Sequence, residues 1–283
     1  MIERYENKHE QQLLTLLKDY PMDWGDNATE TVVSLEDGIA VGTGSLSKNS
    51  FHPHREYVKV FVQPDKRKKG IGKSIFLELV NLSKSKKFQA AISSKDEIAV
   101  SFLESCGFQV ARKCYTPLLS KSHTLPNSDK EENYLLFNEL TTDQKDSVVQ
   151  LQLKNYRQFH RTINPMSDTV SFDEWKAIVS ENLVEDFSFV WIKEGAIEAY
   201  FLCYEGIDAN SIEIAYIGGR DVHALEAYLS LYRQAIDLLV TKFSSVEIEA
   251  DDVDPFAFTL LNAFSYDKND SWDAYIYDEI HDK

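Results

Sequence analysis

Apolar positions along this chain fall into short alternating runs and longer helical stripes, and the order of the two recurs. Residues 2–7 read as a first strand, and Leu13, Leu14, Leu16 and Leu17 give the inward stripe of a helix over about His9–Asp19. Glu30–Leu35 and Ile39–Leu46 alternate as a hairpin turning at Glu36-Asp37-Gly38, where Asp-Gly is a strong turn signal. A strand from Glu56 to Val62 carries Val58, Val60 and Val62 on one side, and Pro64 ends its ladder. Ile71, Ile75, Leu79 and Leu82 then predict a helix over about Gly70–Lys86. Phe88–Ser93 is a short strand. Ser94-Lys95-Asp96-Glu97 reads as a capping box opening a helix through Cys106. Gly107 stops that helix, and Phe108–Leu119 returns as strand.

Residues 120–133, SKSHTLPNSDKEEN, are polar and aperiodic, which sets a linker at 123–133 between domains at 1–122 and 134–283. Beyond it the order repeats. A helix starts at Thr141 or Thr142 and runs to about Gln158, and the capping box Ser171-Phe172-Asp173-Glu174 opens another. Phe187–Ile192, the turn Lys193-Glu194-Gly195 and Ala196–Tyr204 form a hairpin. Ile212–Ile217 is a strand, Ala224–Phe243 a long helix, and Val246–Ala250 a strand. Asp254-Pro255 then offers an N-cap with proline at the first helical position. The segment from Asp96 to Phe108 aligns without gaps to Asp254 to Tyr266, which points to a tandem duplication.

Charge divides the chain. Residues 1–125 hold 18 Lys+Arg against 15 Asp+Glu, whereas 126–283 hold 12 against 31, so of the total of −16 the first part carries +3 and the second −19. This argues against nucleic acid, which is bound by concentrated positive charge, and tilts toward a cationic partner or amine near the acidic half. The polar N-terminus has no leader-like apolar run, and no stretch approaches the roughly 18 residues of a membrane span. Cys106, Cys114 and Cys203 lack a CxxC spacing and read as reduced thiols of a cytoplasmic protein.

The positive charge of the first half is concentrated in Lys66, Arg67, Lys68, Lys69 and Lys73, in a turn between a strand and a helix start. Free amides of a first helical turn and the macrodipole attract anions, and Gly70 and Gly72 let a phosphate approach the backbone. A solvated basic turn is the plain alternative. The pattern Arg67-Lys68-Lys69-Gly70-Ile71-Gly72, behind a strand that ends at a proline, resembles the acetyl-CoA loop of the GNAT superfamily of N-acetyltransferases. It is neither a Walker loop, which needs GK[ST], nor GxGxxG, since Lys68 stands two residues before Gly70.

The resemblance implies an α/β fold: two tandem GNAT-like domains, each a mostly antiparallel mixed sheet flanked by helices. It also implies direct acetyl transfer from acetyl-CoA to a small-molecule or peptide amine, without metal. The amides of Val60, Phe61 and Val62 would hold the pantetheine and polarise the thioester, and the turn from Arg67 through Lys68, Lys69, Gly70, Ile71, Gly72, Lys73 and Ser74 would hold the pyrophosphate. Glu56 falls where the histone-acetyltransferase branch carries its basic glutamate. The family's acid tyrosine position is Leu103 here, and its asparagine is Asp96, so Tyr115 or the Cys106 thiol is left as acid, or none. Met22-Asp23-Trp24 lies where the acceptor loop would be. In the second half, Tyr216 to Ala224 lacks the proline, the glycine spacing and the positive charge, and Asp221 would oppose a pyrophosphate. That half is expected to be a degenerate copy that holds substrate, covers the cleft or supports a homodimer. The rival reading is an acetyl-CoA sensor or interaction protein without turnover. His52 and His54 read as loop histidines, Asp251 and Asp252 as exposed strand-end carboxylates, and Tyr228, Tyr232, Phe256, Phe258 and Phe264 as core.

Overall fold

The computed structural model describes residues 1–18, 28–119 and 134–279; the Met22-Asp23-Trp24 loop and the 123–133 linker lie outside the described residues. The chain forms two compact units. The first comprises Met1–Ala111, Ile163–Ser167 and Asp273–Lys283, and the second Arg112–Thr162 and Asp168–Trp272. The expected division into successive segments at 122 and 134 therefore differs from the observed one. The last strand and a five-residue segment from mid-chain belong with the first unit.

The first unit contains β1 (Ile2–Arg4), α1 (Glu10–Leu17), β2 (Ala28–Glu36), β3 (Ile39–Ser47), β4 (Glu56–Val62), α2 (Ile71–Leu82), β5 (Lys87–Ser93), α3 (Glu97–Ser105), the start of β6 (Gln109–Tyr115) and nearly all of β13 (Trp272–Asp278). Its strand order is β1-β2-β3-β4-β5-β13-β6. The β2–β3 hairpin turns where Asp-Gly predicts, with Asp37 at φ 50° and Gly38 at φ 80°. The α3 N-cap is Asp96, which accepts from Ala99 N at 3.0 Å.

Glycines on β3 set how closely α2 approaches. A Cβ on Gly44 would overlap Ile75 Cγ2 and meet Leu79 Cδ1 at 2.9 Å, and one on Gly42 would meet Ile75 Cδ1 at 3.0 Å. Ile75, Phe76 and Leu79 are thereby buried against Val32, Leu46, Val58 and Phe88. Tyr277 of β13 joins this core edge-on to Phe76, with ring centroids 5.3 Å apart. Arg55 ties the remote segments in. Its guanidinium donates to both carboxylate oxygens of Asp278 (2.9 and 3.0 Å), to Tyr277 O (3.2 Å) and to Ile163 O (2.6 Å).

The second unit has a five-stranded sheet in the order β11-β10-β9-β8-β7, made by β7 (Tyr134–Leu136), β8 (Phe189–Lys193), β9 (Ala196–Glu205), β10 (Ser211–Gly219) and β11 (Ser245–Ile248). Its helices are α4 (Thr142–Phe159), α5 (Phe172–Ser180), α6 (Leu225–Lys242) and α7 (Pro255–Leu261), and β12 (Ala250–Asp251) pairs with the second half of β6. The expected capping box of Ser171 with Glu174 forms, and Thr141 makes a further one with Gln144 that was not read from the sequence. Tyr228, Tyr232 and Phe256 are core, with Phe258 and Phe264 packed at its edge. Asp96 and Asp254 each cap the aligned helix that follows them, so the repeat seen in sequence is a repeat of structure.

Candidate functional site

The site is built on the transition from β4 to α2. On one side β4 pairs with β3 along its length, and on the other it pairs in parallel with β5 at only two rungs, Glu56 with Phe88 and Tyr57 with Gln89. From Val58 onward the two strands part. Gln63 N donates to Val41 O at 2.9 Å, which makes the odd-numbered residues of β4 the ones that exchange hydrogen bonds with β3. The amides of Val60 and Val62 therefore face the opening. Phe61 was expected there as well, but the alternation turns its N–H back to β3.

Past Pro64 the backbone folds into a turn with two left-handed residues, Lys68 at φ 60° and Gly70 at φ 80°. Gly70 is the N-cap of α2, and the first helical bond runs from Ser74 N to Gly70 O at 3.0 Å. The backbone amides from Lys68 to Lys73 have no hydrogen-bond partner among the described residues. A cluster of open amides beside left-handed residues is an anion nest, and holding a lysine at positive φ costs about 1 kcal/mol, the kind of strain found at functional turns. The glycines have separate reasons. A Cβ at Gly70 would meet nothing within 4 Å, so that residue supplies conformation and an open approach, whereas a Cβ at Gly72 would meet Phe102 Cε2 at 3.1 Å. Gly72 serves the packing of α3.

The cations are not equivalent. Lys66 pairs with Glu36, Arg67 Nε donates to Val62 O at 2.9 Å with its guanidinium 5.9 Å from the Phe61 ring centre, and Lys73 Nζ reaches Ser105 O at 3.5 Å. Lys68 and Lys69 are exposed and make no ion pair among the described residues. Ser74 is exposed on the first turn of α2.

The two residues expected to be catalytic belong to different units. Glu56 is buried at the still-paired end of β4, and its Oε2 accepts from the hydroxyls of Ser83 and Ser85 just beyond α2. Those bonds tie the Glu56 side chain to the end of α2, and the residue precedes the opening. Tyr115 lies in the second unit's core, stacked with Phe258 and edge-on to Tyr266. Leu103 is core, and burial raises the pKa of the Cys106 thiol beside it. His52 and His54 are loop histidines as read, bonded to Asn164 in the segment that joins the first unit.

One residue went unread. Gln89 sits on the last paired rung and is buried, and its Oε1 has no partner among the described residues. The signal in sequence was a single amide inside the apolar strand Phe88–Ser93. A cavity of about 670 Å³ lies on the Phe61 face of β4, lined by residues including Gln11, Gln12, Thr15, Leu16, Ile39 and Gln63. No carboxylate is among its described lining residues.

In the second unit β10 also runs parallel to its neighbour, β11, from Ser211 to Ile214, and then departs through an irregularity before Tyr216. There the turn is filled. A Cβ on Gly218 would overlap the Tyr200 hydroxyl, and one on Gly219 would meet Tyr228 Cε2 at 2.5 Å. Tyr228 Oη accepts from Asp221 N at 3.2 Å, and Asn155 Nδ2 donates to Gly219 O at 3.1 Å. Asp251 is likewise not the exposed strand-end carboxylate expected. It is buried between Arg112 (3.0 Å) and His160 (2.9 Å), while Asp252 accepts from Lys113 N.

Fold and turn together define a class: a mixed sheet opened between parallel strands, with a glycine-bearing anion turn leading a helix away from the opening, and a second copy of that frame further along the chain. Residues 2–108 match the acetyltransferase (GNAT) family. That match covers 107 of the 283 residues and marks a GNAT acetyltransferase domain within the first unit. Over 98% of its length the chain is similar to a tandem GNAT protein from the clavulanic acid biosynthesis pathway (98% of that chain, TM-score 0.53, 13% identity). It is similarly close to a GCN5-related N-acetyltransferase from Sphaerobacter thermophilus, with 98% of this chain and 95% of that one covered, TM-score 0.51 and 14% identity. At such identities the likeness is one of fold. No curated protein matches the chain in sequence. No helix among the described residues is long and apolar enough to cross a membrane.

Proposed function

We propose that the first unit binds acetyl-CoA at the β4–α2 turn and catalyses direct acetyl transfer to a primary amine in the cytoplasm. The observation that carries this reading is the run of unpartnered amides from Lys68 to Lys73 at the point where β4 has left β5. Those amides, with the unpaired charges of Lys68 and Lys69, suit a pyrophosphate. The Val60 and Val62 amides suit the pantetheine arm, and an amide aimed at the thioester oxygen stabilises the negative charge that develops on it. The acceptor must arrive as a neutral amine. With Leu103 at the usual acid position, the leaving thiolate departs unprotonated, which a thiol pKa of about 8.5 permits. The acceptor is a small-molecule or peptide amine.

Isothermal titration with acetyl-CoA tests the cofactor. Wild type is expected to bind and Gly70→Glu to fold but not bind, because a carboxylate would enter the nest at a position with open space around its Cβ. Normal binding by that variant refutes the cradle. Thiol release with a panel of amines separates enzyme from sensor, since Leu103 also suits a module that binds acetyl-CoA and never turns over.

A further inference from the structure

The second unit holds a polar cluster that the acetyl-transfer reading does not use. Cys114 Sγ, a Glu249 carboxylate oxygen and an Asp251 carboxylate oxygen lie within 4.8 Å of one another. The two strands that carry them run beside each other, with Cys114 opposite Asp251 in the β6–β12 pairing and Glu249 one residue before β12. Cys114 and Asp251 are more than nine-tenths buried, at 7% and 8% exposed. Asp251 Oδ2 receives Arg112 and His160 at 3.0 and 2.9 Å, but its other oxygen, Oδ1, is buried with no partner among the described residues. The Cys114 thiol reaches Glu249 Oε1 at 3.7 Å. An unsatisfied buried carboxylate oxygen is costly, and the Asp251 carboxylate that carries it stands beside a thiol and a second carboxylate.

We propose that Cys114, Glu249 and Asp251 form a divalent metal site of the second unit, suited to Zn²⁺. One thiolate and two carboxylates are a borderline donor set, and three protein ligands with water completing a tetrahedron is a standard zinc arrangement. In such a site, ligand atoms stand about 3.3–3.6 Å apart, so side-chain adjustments within the cluster suffice. Charge closes as well. On binding, Cys114 gives its thiol proton to solvent, and Zn²⁺, one thiolate, two carboxylates and the guanidinium sum to zero. His160, on Asp251 Oδ2, would orient the ligand carboxylate from outside the coordination sphere. Glu249 is exposed at its outer side, which provides the entry path.

The test uses the full chain, stripped with chelator and titrated with Co²⁺, whose bond to a thiolate gives a near-ultraviolet charge-transfer band. One Co²⁺ per chain with that band, displaced by Zn²⁺, is expected. Cys114→Ser should abolish the band, Cys106→Ser should keep it, and Glu249→Gln should weaken affinity roughly tenfold or more. Glu249 is at the surface, so its variant remains informative if Cys114→Ser fails to fold. Absence of the band in the wild type, its persistence in Cys114→Ser, or unchanged affinity in Glu249→Gln overturns the site.

Discussion

Replacing Asp278 by alanine tests whether the end of the chain is part of the acetyltransferase unit's stability. Asp278 holds Arg55 through two charge-assisted hydrogen bonds, at 2.9 and 3.0 Å. The guanidinium side chain is only 10% exposed, whereas the carboxylate is 47% exposed. Breaking a fully buried pair from one side costs about 3–5 kcal/mol, because the other charge is stranded. Here water reaches the carboxylate end, and Arg55 keeps its bonds to Tyr277 O and Ile163 O, so roughly half of that, about 2 kcal/mol, is expected. Hydrogen exchange reads the effect locally. Protection of the β13 and β5 amides should fall by about 30-fold, the population change that corresponds to 2 kcal/mol, while the β8–β10 amides stay unchanged. A double-mutant cycle with Arg55→Met should show that the two losses are not additive. Additive losses, or β13 protection within twofold of wild type, would refute the assignment of this strand to the first unit's stability.

Other substitutions separate structure from chemistry. Glu56→Gln should lower the melting temperature and leave turnover within a few-fold, because the side chain serves Ser83 and Ser85; a hundredfold fall in kcat at unchanged stability would restore it as the base. Gly44→Val should destabilise by about 1–3 kcal/mol or more through overlap with Ile75 and Leu79, with loss of acetyl-CoA affinity as α2 is pushed off the sheet; differential scanning calorimetry and titration check the two effects. Ser171→Ala should lower stability at neutral pH. The Ser171 hydroxyl and backbone hold the Glu174 carboxyl below its ordinary range, so this contribution is present above the ordinary carboxylate pKa and is lost as pH falls through the depressed one. A melting-temperature difference between variant and wild type that grows on acidification would contradict that sign.

Most elements of the first unit were legible because its signals are local. Alternation gave β2 to β5, Asp37-Gly38 gave the hairpin, and Gly70 and Gly107 marked positions that the structure does hold at positive φ. What sequence missed was non-local. Tyr134–Leu136, Ala250–Asp251 and Trp272–Asp278 are strands only because a partner strand accepts them, and none carries a long alternating pattern. β13 has Asp273 and Asp278 at its two ends, which disguises a strand whose tyrosines enter a core built from residues far earlier in the chain. Glu56 shows the same limit: its spacing from Gly70 is a property of the chain, but its bonds to Ser83 and Ser85 exist only because α2 returns to it.

The two β–turn–helix frames differ in how far their turns are filled from within. Both follow a strand that leaves a parallel neighbour, and both contain adjacent or near-adjacent glycines. In the first, glycine leaves space that nothing in the chain occupies at Gly70, and the helix begins with its amides open. In the second, the space over Gly218 and Gly219 is taken by the rings of Tyr200 and Tyr228, and a tyrosine hydroxyl and an asparagine amide satisfy the turn's backbone. Burial pushes the Tyr200 hydroxyl's pKa upward, so it stays a neutral partner. Restoring the second site would therefore need the removal of two core aromatics, at about 3–5 kcal/mol each, as well as the addition of charge. The loss of positive residues visible in sequence is the smaller part of the difference; the larger part is that the second turn's hydrogen bonds have been closed from within.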